Sequence, residues 1–536
     1  MDKIYYGGRI VTMEKEGDYP EAVLVKDGRI AGVGEIDALR AAAGCDVQEV
    51  NLEGKCLMPS FIDPHSHIVM NGQMALLADL SECESFDDIV AALNAYVEKN
   101  SQFQLPVVIG FGYDHNFLAE GRHPDKFVLD RVTSTIPVLA QHQSGHMAVV
   151  NSAMLRLMGV DENTPDPSGG VFGRVEGSSE PNGYLEEGAL MLLQSQLMGG
   201  GSGGPDPSVM INAMQKVYIE NGVTTAQDGA TSPEYMQILK LANATGQLKL
   251  DVVAYPIMGE AGRTIMEENK DLVKKYDGRL KIGGYKMILD GSPQGRSAWM
   301  SEPYEGSDDY CGYPWMPEEE ADAFALEAVN DNLQLLTHCN GDAASEQFLN
   351  SYTRALAKSE NPDKDNLRPV MIHCQTVRND QLDRMADINM IASVFVGHVY
   401  YWGDIHVKNF GEKRGNHVSP ARDALDRGIT VNFHQDTPVT KTKMLHSVWT
   451  AVNRISRGGN VIGEDQKVSV YEALQAVTIN GAYQYFEEDE KGSIKEGKRA
   501  DLVILDRNPL DVDPMEIKDI KVLETIKDGE SIYVAC

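Results

Sequence analysis

The chain is 536 residues long, 42% hydrophobic and 24% charged, with a formal net charge of -32. That length can bury a large core and exceeds one compact domain, so two or three folding units are expected. So acidic a surface repels nucleic-acid phosphates and anionic membranes, which argues against both as partners.

The opening residues 1–8 are polar and glycine-broken, unlike a secretory leader, and no apolar run is long enough to span a bilayer. A cytoplasmic protein is expected. Seven scattered cysteines without Cys-x-x-Cys spacing suit reduced thiols better than disulfides or a zinc knuckle. Residues 3–13, 21–25, 29–34 and 47–52 read as short strands, with Asp27-Gly28 as a hairpin turn. The far end reads alike, with strands at 500–505 and 522–526 and a turn at Asp528-Gly529. Residues 1–58 and 485–536 are therefore expected to form one composite β-sandwich domain.

Between them, apolar runs alternate with helical patterns, the signature of βα units. Eight strands are predicted, at 60–65, 223–228, 249–255, 281–289, 333–338, 369–373, 391–396 and 429–434. Eight is the number a closed barrel requires, so the expected fold is α/β, a (β/α)8 TIM-like barrel over residues 59–484. The gap after the first strand is too long for one helix. Residues 70–210 are read as an inserted subdomain with strands at 107–111 and 137–141, ending in the glycine-rich link 199–204. That link lacks the Lys-Ser/Thr pair of a phosphate loop.

In such a barrel the chemistry sits at the C-terminal ends of the strands. Those ends carry His65 and His67 (first), Lys286 (fourth), His338 (fifth), His373 (sixth) and Asp436, just past the eighth. Residues 65 and 67 point the same way on a strand and could reach one ion. Imidazole and carboxylate donors suit zinc. A lone histidine at any of these places reads more simply as packing; four in register with the strand count do not. Lys286 lies in an apolar strand, where an unpaired charge is costly, and carbamylation would turn it into an anionic ligand. Cys339 and Cys374 follow ligand candidates but alternate away from them, and read as packing residues. Leu445, Trp449 and Val452 lie at helical spacing and read as a buried helix face, with His446 at its margin.

These residues resemble the amidohydrolase superfamily, specifically its amidohydrolase-3 branch of N-substituted formamide deformylase-like proteins. The resemblance covers Met58 to His67, Asn221 to Asp228, Asp290-Gly291-Ser292, His338 to Ala344, Ile372 to Gln375 and Gly492 to Leu505. It implies one or two zinc ions: His65 and His67 on the first, His338 and His373 on the second, a carbamate on Lys286 as the bridge, and Asp436 as both ligand and proton carrier. It also implies a small-molecule substrate cleaved at a non-peptide carbon–nitrogen bond, and a homodimer. The family's Gly-Ser-Asp is here His434-Gln435-Asp436, which places His434 beside the substrate or leaves it as a packed side chain. His398 is placed to hydrogen-bond a substrate carbonyl. His146, Tyr113 and Asp114 could form an outer pocket wall, with His142 a polar loop residue. Arg296 reads equally as a substrate clamp or a structural ion pair. Alternatives are a one-metal deaminase of heterocyclic amines, a phosphotriester or lactone hydrolase, and a non-catalytic barrel scaffold.

Overall fold

The computed structural model describes all residues except 1, 45, 101–106, 146, 168, 200–206 and 536, with backbone only for 194–199. The predicted glycine-rich link lies largely outside the described residues, and so does His146. The chain divides into two compact units: Met1–Val69 with Gln215–Cys536, and Met70–Met214.

In the first unit, strands from both termini pair directly. One sheet is ordered Arg29–Gly34, Ala22–Lys26, Lys3–Tyr6, Gln48–Asn51; a second is ordered Arg9–Ile10, Cys56–Pro59, Leu502–Leu505, Val522–Lys527, Glu530–Val534. The expected strand at 3–13 is broken because Gly7 has φ +74 and a Cβ there would lie 2.3 Å from Asn51 Oδ1. The predicted turns are present, with Asp27, Gly28, Asp528 and Gly529 all at positive φ, as the twist of a tight hairpin demands. Tyr5, Val23, Val25 and Ile30 from one sheet pack with Leu57, Leu502, Ile504 and Ile526 from the other.

The eight predicted strands occur in order as parallel strands. The first (Phe61–Ile62), second (Val223–Thr231), third (Asp251–Pro256) and the start of the fourth (Leu280–Ile282) form one sheet. The rest of the fourth (Gly284–Ile288), the fifth (Gln334–Cys339), sixth (Val370–His373), seventh (Ile391–Val394) and eighth (Val431–Phe433) form another. A single continuous ladder is thus not what the structure has. The fourth strand breaks at Gly283 and Gly284, where added Cβ atoms would lie 2.4 Å from the Tyr255 hydroxyl and 2.1 Å from the Gln334 carbonyl. Among the described residues no ladder joins the eighth strand to the first; the His67 amide donates to the Thr437 carbonyl instead, at 2.8 Å. No described helix is long and apolar enough to cross a membrane. Leu445 and Trp449 are buried on the helix Met444–Asn453, as their spacing predicts.

The second unit holds a six-stranded sheet, ordered Gly170–Arg174, Pro181–Glu187, Met147–Val150, Val138–His142, Val108–Tyr113, Ala78–Asp79. The two strands predicted there lie side by side in it and pair in parallel.

A buried ion network ties the third strand to the terminal sheets. Asp251 accepts from Lys491, from Lys527 at 2.8 Å and from Arg279 at 3.1 Å, while Lys527 also donates to Asp501 at 2.7 Å. Burial alone would raise the Asp251 carboxyl, but Lys491 and Lys527 hold it well below the usual range. Removing one partner strands the opposite charges out of water. Asp251→Asn should therefore lose about 3–5 kcal/mol of stability in equilibrium denaturant unfolding; an unchanged midpoint would show that the network is dispensable.

Candidate metal centre

The six strand-end residues do meet. Asp63 begins the approach: its Oδ1 accepts the His65 amide at 3.2 Å, a local turn that swings the chain out of the first strand. His65 and His67 then present Nε2 atoms that each lie 3.3 Å from Asp436 Oδ1. Lys286 Nζ is 3.2 Å from His65 Nε2. On the neighbouring strands, His373 Nε2 is 2.9 Å from His338 Nδ1. The ring centres of His65 and His373 are 5.6 Å apart, so both halves belong to one cluster. His373 and Asp436 have φ of +76 and +54, unusual for non-glycine residues and typical of side chains held for function.

Hydrogen bonding fixes the His65 tautomer. Gln227 donates through Nε2 to the Pro64 carbonyl at 2.7 Å and to the Tyr485 hydroxyl at 3.1 Å, so its Oε1, 2.6 Å from His65 Nδ1, must accept. His65 therefore carries its proton on Nδ1 and turns a lone pair on Nε2 towards Asp436, the arrangement a metal-ligating histidine needs. His338 Nε2 lies 3.2 Å from the Gly291 carbonyl and 3.0 Å from Asn340 Nδ2, leaving Nδ1 to face His373. Gln227 and Asn340 escaped the sequence reading, although both lie in quoted motifs; strand parity alone would have turned Gln227 inward.

The electrostatics favour neutral rings around one anion. Burial, with Lys286 adding to it, lowers His338 to about 4, and burial takes His65 and His373 well below their ordinary value. Burial would raise Asp436, but His67, with His373 and His65 close by, holds it well below the usual carboxylate range. Burial lowers Lys286 to about 8. Within this cluster, Asp436 Oδ1 and His373 Nδ1 are buried without a hydrogen-bond partner, as are both nitrogens of His434. Lone pairs gathered in this way, out of water and facing each other, are what a bound cation satisfies. The residues present thus fit a divalent ion of the zinc type, with the donor atoms of His65, His67 and Asp436 close enough to share one ion.

His398 begins the helix Gly397–Gly415, buried against Phe395 and Trp402, with Nδ1 3.0 Å from Nε2 of His406. His406 was not singled out from the sequence. Arg296 donates to Asn409 Oδ1 at 2.9 Å and has no carboxylate partner among the described residues, so the structural ion pair is absent there. Cys339 and Cys374 are buried, and the Cys339 thiol turns to the Ala344 carbonyl.

Tyr113 and Asp114 belong to the other unit and sit in a cluster of its own. The Tyr113 hydroxyl meets His123 Nδ1 at 2.9 Å, and Asp114 Oδ1 lies 3.5 Å from His142 Nε2 and 3.8 Å from His115 Nδ1. The Ser144 amide donates to His142 Nδ1 at 3.1 Å, so neutral His142 carries its proton on Nε2 and points it to His115 Nδ1 at 3.2 Å. Asp114, His115 and His142 thus form a second compact group of donor atoms, one already linked by hydrogen bonds.

A model of the amidohydrolase family matches residues 48–533. The N-substituted formamide deformylase of Arthrobacter pascens is 28% identical over 99% of this chain and 98% of its own. Among solved structures, an uncharacterized metal-dependent hydrolase from Pyrococcus horikoshii OT3 superposes with TM-score 0.75 and 23% identity, over 96% of this chain and 99% of that one. The zinc complex of atrazine chlorohydrolase TrzN from Arthrobacter aurescens TC1 gives TM-score 0.54 and 15% identity, over 99% and 95%. At these identities the structural likeness shows the fold, an α/β TIM-like barrel.

Because Gln227 sets the His65 tautomer, Gln227→Leu should weaken zinc retention about 10–100-fold while the fold persists. Chelator competition measures this, and equal retention would remove Gln227 from the account.

Proposed function

The chain belongs to the amidohydrolase family, and we propose that within it this protein hydrolyses a non-peptide carbon–nitrogen bond of a small amide or formamide-like molecule. The observation that carries this reading is the placement of Asp436 Oδ1 at 3.3 Å from Nε2 of both His65 and His67. The formamide deformylase likeness over nearly the whole of both chains supports the substrate class.

In this reading His65, His67 and Asp436 hold one ion, and His338 and His373 hold a second. A divalent ion so held acidifies a water towards neutral pH and polarises a carbonyl. Asp436 takes the proton released by the attacking water and delivers it to the departing amine, leaving a carboxylate and an amine. Its low proton affinity in this cluster keeps it ionised and ready to accept. His398 donates to the carbonyl oxygen as negative charge develops there, with His406 behind it fixing the ring. Arg296, held at Nε by Asn409, keeps its terminal nitrogens for a substrate carboxylate.

Lys286 is fully buried and its pKa of about 8 leaves a share of neutral amine near pH 7. That amine would add carbon dioxide, forming an N–C bond and releasing one proton, and would so supply an anionic oxygen ligand to the metal centre. A homodimer in the cytoplasm completes the proposal. One observation favours a one-metal deaminase as the second reading: among the described strand-end residues of the barrel, His65, His67 and Asp436 form a compact donor group without His338 or His373.

Incubation with matched N-substituted formamides, amides and esters tests the reading. Amine release from the first two is expected, abolished by chelation and restored by zinc, with Asp436→Asn at least about 100-fold slower. Ammonia release from heterocyclic amines, or alcohol release alone, would contradict it.

A further inference from the structure

His434 is the one ring of the cluster with no hydrogen-bond partner at either nitrogen, although the residue is fully buried. Its ring centre lies 5.1 Å from that of His65 and 5.2 Å from that of His373, against 5.2 Å between His65 and His67. Imidazoles sharing a tetrahedral zinc at its usual bond length have centres about 5 Å apart. Aromatic packing alone also produces such spacings, and Phe395 lies 5.1 Å away on another side. Packing does not explain the unmet nitrogens. A neutral imidazole has one N–H and one lone pair, and leaving either buried and unmet costs about 1–3 kcal/mol. A phenylalanine would fill the same space against Phe395 without that penalty.

We propose that His434 is a further imidazole ligand of the metal centre, on the side shared by His65 and His373, and so helps to set which ion is held and how tightly. This rests on the metal-centre reading above and deepens it.

Two measurements test the proposal. Titration of metal-free protein with zinc against a chromophoric chelator should show wild type binding with at least about tenfold higher affinity at one site than His434→Phe. In ¹⁵N-histidine NMR of wild type, one His434 ring nitrogen should shift on adding zinc, which decides the matter even if His434→Phe does not fold. Equal affinities, or a His434 ring indifferent to zinc, would make it a packing residue and leave the rest of the centre intact. Wild type taking up no zinc would overturn the metal-centre reading and this inference together.

Discussion

Everything at the strand ends depends on one constraint: lone pairs taken out of water must meet something positive. Asp436 Oδ1 lies buried between His65 and His67 without a hydrogen bond, and burial keeps the neighbouring rings neutral. An isolated anion in that setting would be costly. The imidazoles around it relieve that cost only in part, and Lys286, its own charge weakened by burial, faces His65 rather than Asp436 at hydrogen-bond distance. A cation held by the same nitrogens and oxygen would resolve the conflict, and His373 and Asp436 present their donors from backbone at positive φ.

The surrounding fold restricts how those donors can move. Gln227 and Gln484 both donate to the Pro64 carbonyl at 2.7 Å, locking the turn that carries His65 and His67. The Tyr485 hydroxyl adds a bond to the Asp63 carbonyl at 2.8 Å, so residues far along the chain clamp the first strand's exit. Beneath them, Asp251, Lys491, Lys527 and Asp501 join the third strand to the terminal sheets by buried charge. Such a network is poor at adding net stability but costly to misalign, which suits a scaffold that must hold its donors in one arrangement.

Much of this was legible in the sequence because strand periodicity and metal chemistry both leave local marks. The eight strands, the hairpins at Asp27-Gly28 and Asp528-Gly529, and the convergence of His65, His67, Lys286, His338, His373 and Asp436 follow from apolar runs, turn residues and ligand types at strand ends. What the sequence hid was set by contacts between distant segments. The break at Gly283 comes from a tyrosine on the preceding strand, and among the described residues the exits of the first and eighth strands meet through the His67 amide and the Thr437 carbonyl rather than a ladder. Gln227, Asn340 and His406 gain their roles only from what they touch. Arg296 was open between clamp and ion pair, and only its neighbour Asn409 narrowed the choice.

The most direct test of the central claim is anomalous diffraction at the zinc edge from crystals grown with zinc. The account predicts a peak within bonding distance of His65 Nε2, His67 Nε2 and Asp436 Oδ1. Clear density for those three side chains with no anomalous signal between them would contradict it.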